Sequence, residues 1–302
     1  MTLLHFKPVC EPSELSQSHE RSWMMLIMCG PETSTLGIDL SQDWTNASLA
    51  LVSTLKPSDV PALDFQSLWW DQEQRRALLF CGGVTFPFAG GANSRPSPEA
   101  IWSFTPDGKG SGAWNEVLGP AASKPFPPNI IRPSEGASAS NGSHAYYIGG
   151  FADPYTTTKI TSGSQIPVPG LLSFDLDGLS ITNTSDGGYF ATQDPIHHAV
   201  PGAMLDVTSF GTDGLLVLLG GGNTVGSKAP ITNPSFNNIT IYDRANQKWY
   251  SQAATGTIPE SRIFFCAVGV QSPDKSTYEM YVNSNSSSIF CSVWYIEMLS
   301  ES

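Results

Sequence analysis

The sequence predicts an all-β protein built from about five similar sheet units packed around a common axis. Three observations carry that prediction. Short apolar strands stop repeatedly on paired glycines, as in LLFCGG (78–83), AYYIGG (145–150) and LLVLLGGG (215–222). A second strand bearing an aromatic residue follows at a steady offset: Gly83 to Phe104 is 21 residues, Gly150 to Phe174 is 24, and Gly222 to Tyr242 is 20. Helical periodicity is almost absent, and with 28 Gly, 23 Pro and only 14% charged residues the chain is rich in turns and poor in solvated helix faces.

The repeat can be followed from one end to the other. Its first half reads MMLIMCG (24–30), LLFCGG (78–83), AYYIGG (145–150), LLVLLGGG (215–222) and YEMYVNS (278–284), the last without glycines. Anchored at 30, 83, 150, 221 and 283, the intervals are 53, 67, 71 and 62 residues, so the extra length belongs in loops. The second half reads LGIDLSQDW (36–44), IWSFTPDGKGSGAW (101–114), LLSFDLDG (171–178), ITIYDRANQKW (239–249) and, weakly, SVWYIEML (292–299). Trp44, Trp114 and Trp249 close three of these segments, whereas the third unit has Ile181 and Thr182.

Each unit thus supplies several short strands separated by Gly, Pro, Asn and Asp turns. A small sheet with two apolar faces cannot bury both alone, so the units must stack, and radial stacking makes a β-propeller. Gly82, Gly83, Gly149, Gly150, Gly220 and Gly221 suit places where the backbone crowds or needs positive φ. The tryptophans suit wedges between neighbouring sheets. The expected extents are a poorly ordered segment over residues 1–22 and one propeller over 23–302. The first and last units are expected to be degenerate, closure incomplete, and the fifth unit short of strands with an open edge.

Charge and cysteine content restrict the function. A formal charge of −12 and a pI near 4.7, with no cluster of Lys and Arg, disfavour nucleic acid and anionic lipid as partners. Five cysteines, at 10, 29, 81, 266 and 291, form no CxxC and no zinc-like spacing. Cys29 and Cys81 fall in apolar strands, where core packing is the expected role. Five sequons, at Asn46, Asn141, Asn183, Asn238 and Asn285, suit glycosylated surface loops. Residues 1–22 carry Lys7, Glu11, Glu14 and Glu20 and lack the apolar core of a signal peptide. No apolar run reaches the length needed to span a bilayer. The sequons point to the extracellular side and the missing leader pattern points away from it.

The apolar strand ending in Gly-Gly, followed by aromatic-x-Asp and then Trp, resembles the kelch repeat over about residues 24–299. LGIDLSQDWTNASL, SLWWDQEQRRALLFCGG, IWSFTPDGKGSGAW and PESRIFFCAVGVQSPDKSTYEMYV are similar to fungal kelch-repeat proteins. That resemblance implies a kelch-type propeller of a kind that is exported and often tethered at the membrane. It leaves activity open, because one fold carries scaffolds, adaptors and enzymes.

Some kelch-like propellers, galactose oxidase among them, bind copper through histidines and tyrosines. Here His197 and His198 are adjacent, and neighbours on a strand point to opposite faces. His144 begins a strand beside a turn. No G-x-S-x-G elbow places a serine nucleophile, GGGNTVGS (220–227) lacks the Gly-Lys-Ser/Thr ending and following helix of a phosphate loop, and SFDLDG (173–178) lacks the rest of a calcium loop. No catalytic residue, metal ligand or cofactor is therefore assigned.

Recognition remains as the leading expectation. The loops VTFPFAGGANSRPSP (84–98), FADPYTTTKITSGSQIPVPG (151–170) and NTVGSKAPITNPSF (223–236) follow the glycine pairs and would share one face. Phe86, Phe88, Arg95, Tyr155 and Phe236 are the candidate contacts, since aromatics and Arg dominate binding hot spots. The expected function is a non-catalytic module binding protein or carbohydrate, at the cell surface or in the secretory route. The alternatives are a degenerate galactose-oxidase-like enzyme and a cytosolic kelch adaptor.

Overall fold

Strands written as unbroken apolar runs must be covered on both faces. The computed structural model describes residues 3–8, 23–26, 34–39, 51–84, 96–162, 165–184, 197–200, 202–220, 222–225, 236–260, 265–284 and 292–299, and it shows what covers them. Among these residues every regular element is a β-strand.

The chain begins with β1 (Leu3–Pro8). Unit 1 contains β2 (Trp23–Leu26), β3 (Ser34–Asp39) and β4 (Leu51–Leu55). Unit 2 contains β5 (Ser67–Asp71), β6 (Arg76–Phe80), β7 (Ile101–Pro106) and β8 (Gly112–Leu118). Unit 3 starts with β9 (Ala137–Ser140) and β10 (His144–Ile148), adds a short ribbon of β11 (Phe151–Ala152) and β12 (Ile166–Pro167), and ends with β13 (Leu171–Asp175) and β14 (Ser180–Thr184). In unit 4, β15 (His197–Val200) precedes β16 (Ala203–Val207) and β17 (Leu215–Leu219); β18 (Gly222–Val225), β19 (Asn238–Asp243) and β20 (Lys248–Gly256) follow. Unit 5 contains β21 (Cys266–Gln271), β22 (Thr277–Ser284) and β23 (Ser292–Leu299).

Within each of units 2, 3 and 4 four strands pair antiparallel in chain order, β5-β6-β7-β8, β9-β10-β13-β14 and β16-β17-β19-β20, with the short strands β11, β12 and β18 lying outside these sheets. The first strands of these sheets adjoin one another across units, β5 beside β9, β9 beside β16, and β16 beside β21. That arrangement is radial, and it defines an all-β propeller.

Two features, at the chain's start and in the fifth unit, add to what the repeat pattern predicts. Residues 3–8 form a strand, with β1 pairing antiparallel to β23 from Leu3↔Leu299 to Pro8↔Trp294. It also runs parallel to the end of β20 through Leu4↔Ala254 and Phe6↔Gly256. The sheet of unit 5 therefore has four strands, β21-β22-β23-β1, and joins unit 4 in one eight-stranded sheet. The physical reason is that the outer edge of β23 presents a row of unpaired amides and carbonyls, which an extended segment satisfies. The rest of the expected N-terminal segment, residues 9–22, lies outside the described residues.

The core sits between the sheets, and strand alternation divides it. Leu78 and Phe80 of unit 2 join Ala145, Tyr147, Leu172 and Phe174 of unit 3 in one buried cluster. Their neighbours Tyr146 and Ile148 turn the other way and pack with Met204, Leu216 and Tyr242 of unit 4. Leu215, Val217 and Leu219 then pack with Phe265, Met280 and Val282 of unit 5. On the other side of unit 2, Leu79 packs with Val60 and Trp102, and Leu68 and Trp114 cover them. An apolar run such as LLVLL thus serves two interfaces at once.

The tryptophans sit at these seams. Trp114 lies 5.1 Å from the Phe104 ring and donates its indole N–H to Thr35 Oγ1 of unit 1 at 3.0 Å. Trp249 lies 4.7 Å from Tyr242 and packs on the seam between units 3 and 4. Trp44 lies outside the described residues.

Candidate functional site

The glycine turns organise one face of the propeller. Asp64, just before the innermost strand of unit 2, exchanges backbone hydrogen bonds with Gly83 at 2.8 and 3.1 Å. Ser134 does the same with Phe151 in unit 3, at 2.9 and 3.0 Å, and Val200 pairs with Gly222 in unit 4. Gly83, Phe151 and Gly222 are therefore equivalent, and the residues that make the turn include Cys81–Gly82, Gly149–Gly150 and Gly220.

That equivalence shifts the sequence alignment by one residue. Gly82, Gly149, Gly150 and Gly220 have φ of 92°, 75°, 75° and 58°, and Cys81 adopts 69° where units 3 and 4 use glycine. Gly83 is the paired residue after the turn; Gly221 lies outside the described residues. A Cβ on Gly150 would strike the Ser134 carbonyl, and one on Gly82 the Asp64 carbonyl, so both turns press against the segment leading into the innermost strand.

Neighbouring units are locked together on this face. The Gly82 N–H donates to Pro133 O at 2.9 Å, and the Val84 N–H donates to Tyr155 O, also at 2.9 Å. Arg132 strengthens the link. Its side chain is wholly buried, with Nε donating to Thr156 O at 2.7 Å and Nη2 to Ser97 O at 2.9 Å. One guanidinium thus fixes the segments that follow the glycine turns of both unit 2 and unit 3. Glu99 supplies its counter-charge nearby, accepts from Thr157 Oγ1, and lies 3.9 Å from Lys159 Nζ. Lys159 also donates to Ile130 O at 2.5 Å and Pro128 O at 3.1 Å. Buried charges are tolerable only when paired and hydrogen-bonded in this way.

On this scaffold Asp153 shapes the outer loop, its Oδ1 accepting from the Tyr155 and Thr156 N–H groups at 2.8 and 3.0 Å. Tyr155 is left 39% exposed. Phe65 and Glu135 occupy the matching place before the innermost strand in two units, both with positive φ, 55° and 59°. Phe65 is 37% exposed. Burial raises the Glu135 carboxyl above the ordinary range, and the Asp153 carboxylate beside it adds to the effect. Cys81 lies beneath, its thiol pushed well up by burial against the pull of Arg132.

Of the five residues expected to make contacts, Tyr155 is exposed on this face. Phe86, Phe88 and Arg95 lie outside the described residues. Phe236 is corrected: it is fully buried, packs 5.8 Å from Phe265, and belongs to the core between units 4 and 5. Sequence reasoning missed Arg132, Glu135 and Phe65. Among the described sequons, Asn183 and Asn238 are exposed, while Asn141 is half-buried and its Oδ1 accepts from the Ser143 and His144 N–H groups in the β9–β10 turn. Asn46 and Asn285 lie outside the described residues. Among the described residues no group of three or more His, Cys, Asp and Glu is placed to hold a metal ion, and no helix is long and apolar enough to cross a membrane.

The architecture defines a propeller assembled from glycine-turn sheet units. The kelch resemblance agrees with a curated relative: the chain is 23% identical to a kelch repeat-containing protein of Arthroderma benhamiae, over 82% of this chain and 39% of that protein. The chain thus spans about two fifths of that relative's length. No family model matches the chain. The solved structure of YjhT is similar with a TM-score of 0.47 and 10% identity, covering 82% of this chain and 66% of that one.

Proposed function

We propose that the chain is a non-catalytic interaction module that binds protein or carbohydrate on the glycine-turn face. The supporting observation is the Arg132 clamp. It holds segments of two units in one fixed surface, which lowers the ordering cost of binding, and leaves Tyr155 exposed upon it. Rigid aromatics on a pre-ordered face are the usual anchors of recognition. Glycosylation at the exposed Asn183 and Asn238, and with it passage through the secretory route to the cell surface, belongs to the same proposal.

Two measurements test it. The native protein is weighed before and after enzymatic removal of N-glycans: a large drop supports secretion, and an unchanged 32.4 kDa chain removes that part in favour of a cytosolic adaptor. The full chain and its Tyr155→Ala variant are then compared on arrays of oligosaccharides and of extracellular protein fragments. Binding that the variant loses while melting as the wild type supports the face assignment, whereas binding it retains moves the ligand elsewhere.

A further inference from the structure

Trp69 and Trp70 are neighbours on β5 and point to opposite sides of the unit 2 sheet. Trp69 is buried towards unit 3, 5.5 Å from Phe80 and 5.3 Å from Phe174. Trp70 points towards unit 1, where the two sheets do not meet fully. There a pocket of about 270 Å³ opens between β3 of unit 1 and β5, β6 and β7 of unit 2. It lies at the end of the sheet bearing the β5–β6 and β7–β8 turns, away from the glycine-turn face, and does not depend on the function proposed for that face.

The pocket's walls are held in place from outside it. Trp70 is 42% exposed, and its indole N–H donates to Gln72 Oε1 at 3.1 Å, which fixes the ring at the mouth. Phe104 forms the inner wall and is backed by Trp114 at 5.1 Å. Leu36, Leu68, Ala77 and Pro106 complete an apolar lining. The floor is backbone: Gly37 of β3 lies against Gly110 so closely that a Cβ on Gly37 would collide with the Gly110 carbonyl. Two hydroxyls interrupt the apolar surface. Both residues line the pocket; Thr35 Oγ1 accepts from Trp114 and Ser111 Oγ shares a 3.0 Å hydrogen bond with Thr54 Oγ1, and a hydroxyl that accepts one hydrogen bond keeps a proton it can donate.

We propose that this pocket binds a small planar aromatic molecule of one or two fused rings carrying a hydrogen-bond acceptor. The volume falls just below the roughly 300–1,000 Å³ of pockets that take drug-sized ligands, which suits one compact ring system. Flat walls of Trp70 and Phe104 favour stacked and edge contacts with a flat ligand. The hydroxyls of Thr35 and Ser111 call for an acceptor on its rim, and among the described residues the lining holds no charged side chain to recognise an ion.

The test uses the full chain with coumarin, a fused-ring probe whose lactone carbonyl is the acceptor, followed by saturation-transfer NMR and fluorescence titration. Wild type binds, and Trp70→Ala weakens binding at least about tenfold while still melting cooperatively as a folded propeller, because the removed ring is 42% exposed and lies outside the buried core clusters. Ala77→Leu fills the pocket and abolishes binding; if it fails to fold, Ser111→Ala, expected to weaken coumarin but not naphthalene, takes its place. Absence of binding at millimolar probe, or binding that Trp70→Ala leaves unchanged, overturns the proposal. Capture of tryptophan-containing peptides with no affinity for coumarin would overturn it as well, and assign the pocket to an aromatic side chain.

Discussion

The Gly82 N–H donates to the carbonyl of Pro133 at 2.9 Å, so the glycine turn of one unit is bonded to the segment that leads into the innermost strand of the next. Paired glycines end these strands because the turn needs left-handed backbone and because a neighbouring main chain occupies the space a side chain would take.

Gly150→Ala should therefore cost more than Gly108→Ala. Both positions have positive φ, 75° and 72°, but a Cβ meets the Ser134 carbonyl at Gly150 and open space at Gly108. We expect a loss of about 1 kcal/mol at Gly108 from backbone strain alone, and roughly 2–4 kcal/mol at Gly150. Equal losses in urea denaturation would show that the crowding at the turn is relaxed at no cost.

Cys81 gives a second test. It holds φ of 69° at a place that is glycine in units 3 and 4, and its thiol is buried. Cys81→Ala keeps the strain and loses the sulfur's packing, whereas Cys81→Gly relieves the strain. The glycine variant should be as stable as the alanine variant or more so, reversing the usual order of the two residues in a strand. A glycine variant less stable by 1 kcal/mol or more would contradict this.

Arg132→Met should destabilise the protein by about 2–4 kcal/mol, because it leaves the carbonyls of Ser97 and Thr156 without their donor and Glu99 with Lys159 alone as counter-charge. Arg132→Lys should recover only part of this, since one ammonium cannot reproduce the planar fork that reaches both carbonyls. Full recovery with Lys, read from thermal and urea melts, would reduce the clamp to a simple charge.

The propeller was legible in the sequence because its signal is local and repeated: apolar run, glycine turn, aromatic strand. What escaped is not local. The residues of β1 carry no glycine anchor, and their partner lies nearly the whole chain away in β23, so residues 3–8 read as a tail. The alignment slipped by one because a cysteine fills a glycine place in unit 2. Phe236 read as a loop contact because Pro, Asn and Ser precede it, whereas a single aromatic after such a loop can equally be the plug that seals a core. Arg132 had one usable sign: it is a lone charge between Ile130–Ile131 and Pro133, a setting in which a cation is buried only if the fold supplies acceptors.

Asp206 should make stability depend on pH. Its side chain is 1% exposed on β16, bonded to Arg244 Nη1 at 2.9 Å, and Arg244 also donates to the Tyr146 hydroxyl of unit 3 at 3.3 Å. Burial raises the carboxyl to about 6 against the pull of Arg244 and, more weakly, of Asn141 and His144, with Asp213 pushing it up. Between about pH 4 and pH 6 the folded protein keeps a proton that the unfolded chain has released, so this group's contribution falls as pH rises through that window. The stability advantage of wild type over Asp206→Asn should be greatest near pH 4 and shrink by on the order of 2–3 kcal/mol by pH 7. An advantage that grows over the same range would mean the carboxyl titrates below its ordinary value.

The pairing of β1 with β23 sets a clock on synthesis. β23 is made nearly the whole described chain after β1, so at roughly 5–20 residues per second the first strand waits on the order of 15 to 60 s for its partner. Units 2, 3 and 4 can pair internally during that delay, while LLHFKP stays an unmatched extended segment open to any free sheet edge nearby. Crowding on polysomes then becomes the hazard, as the first strand of one nascent chain can dock on the outer strand of another and link two molecules before either is finished.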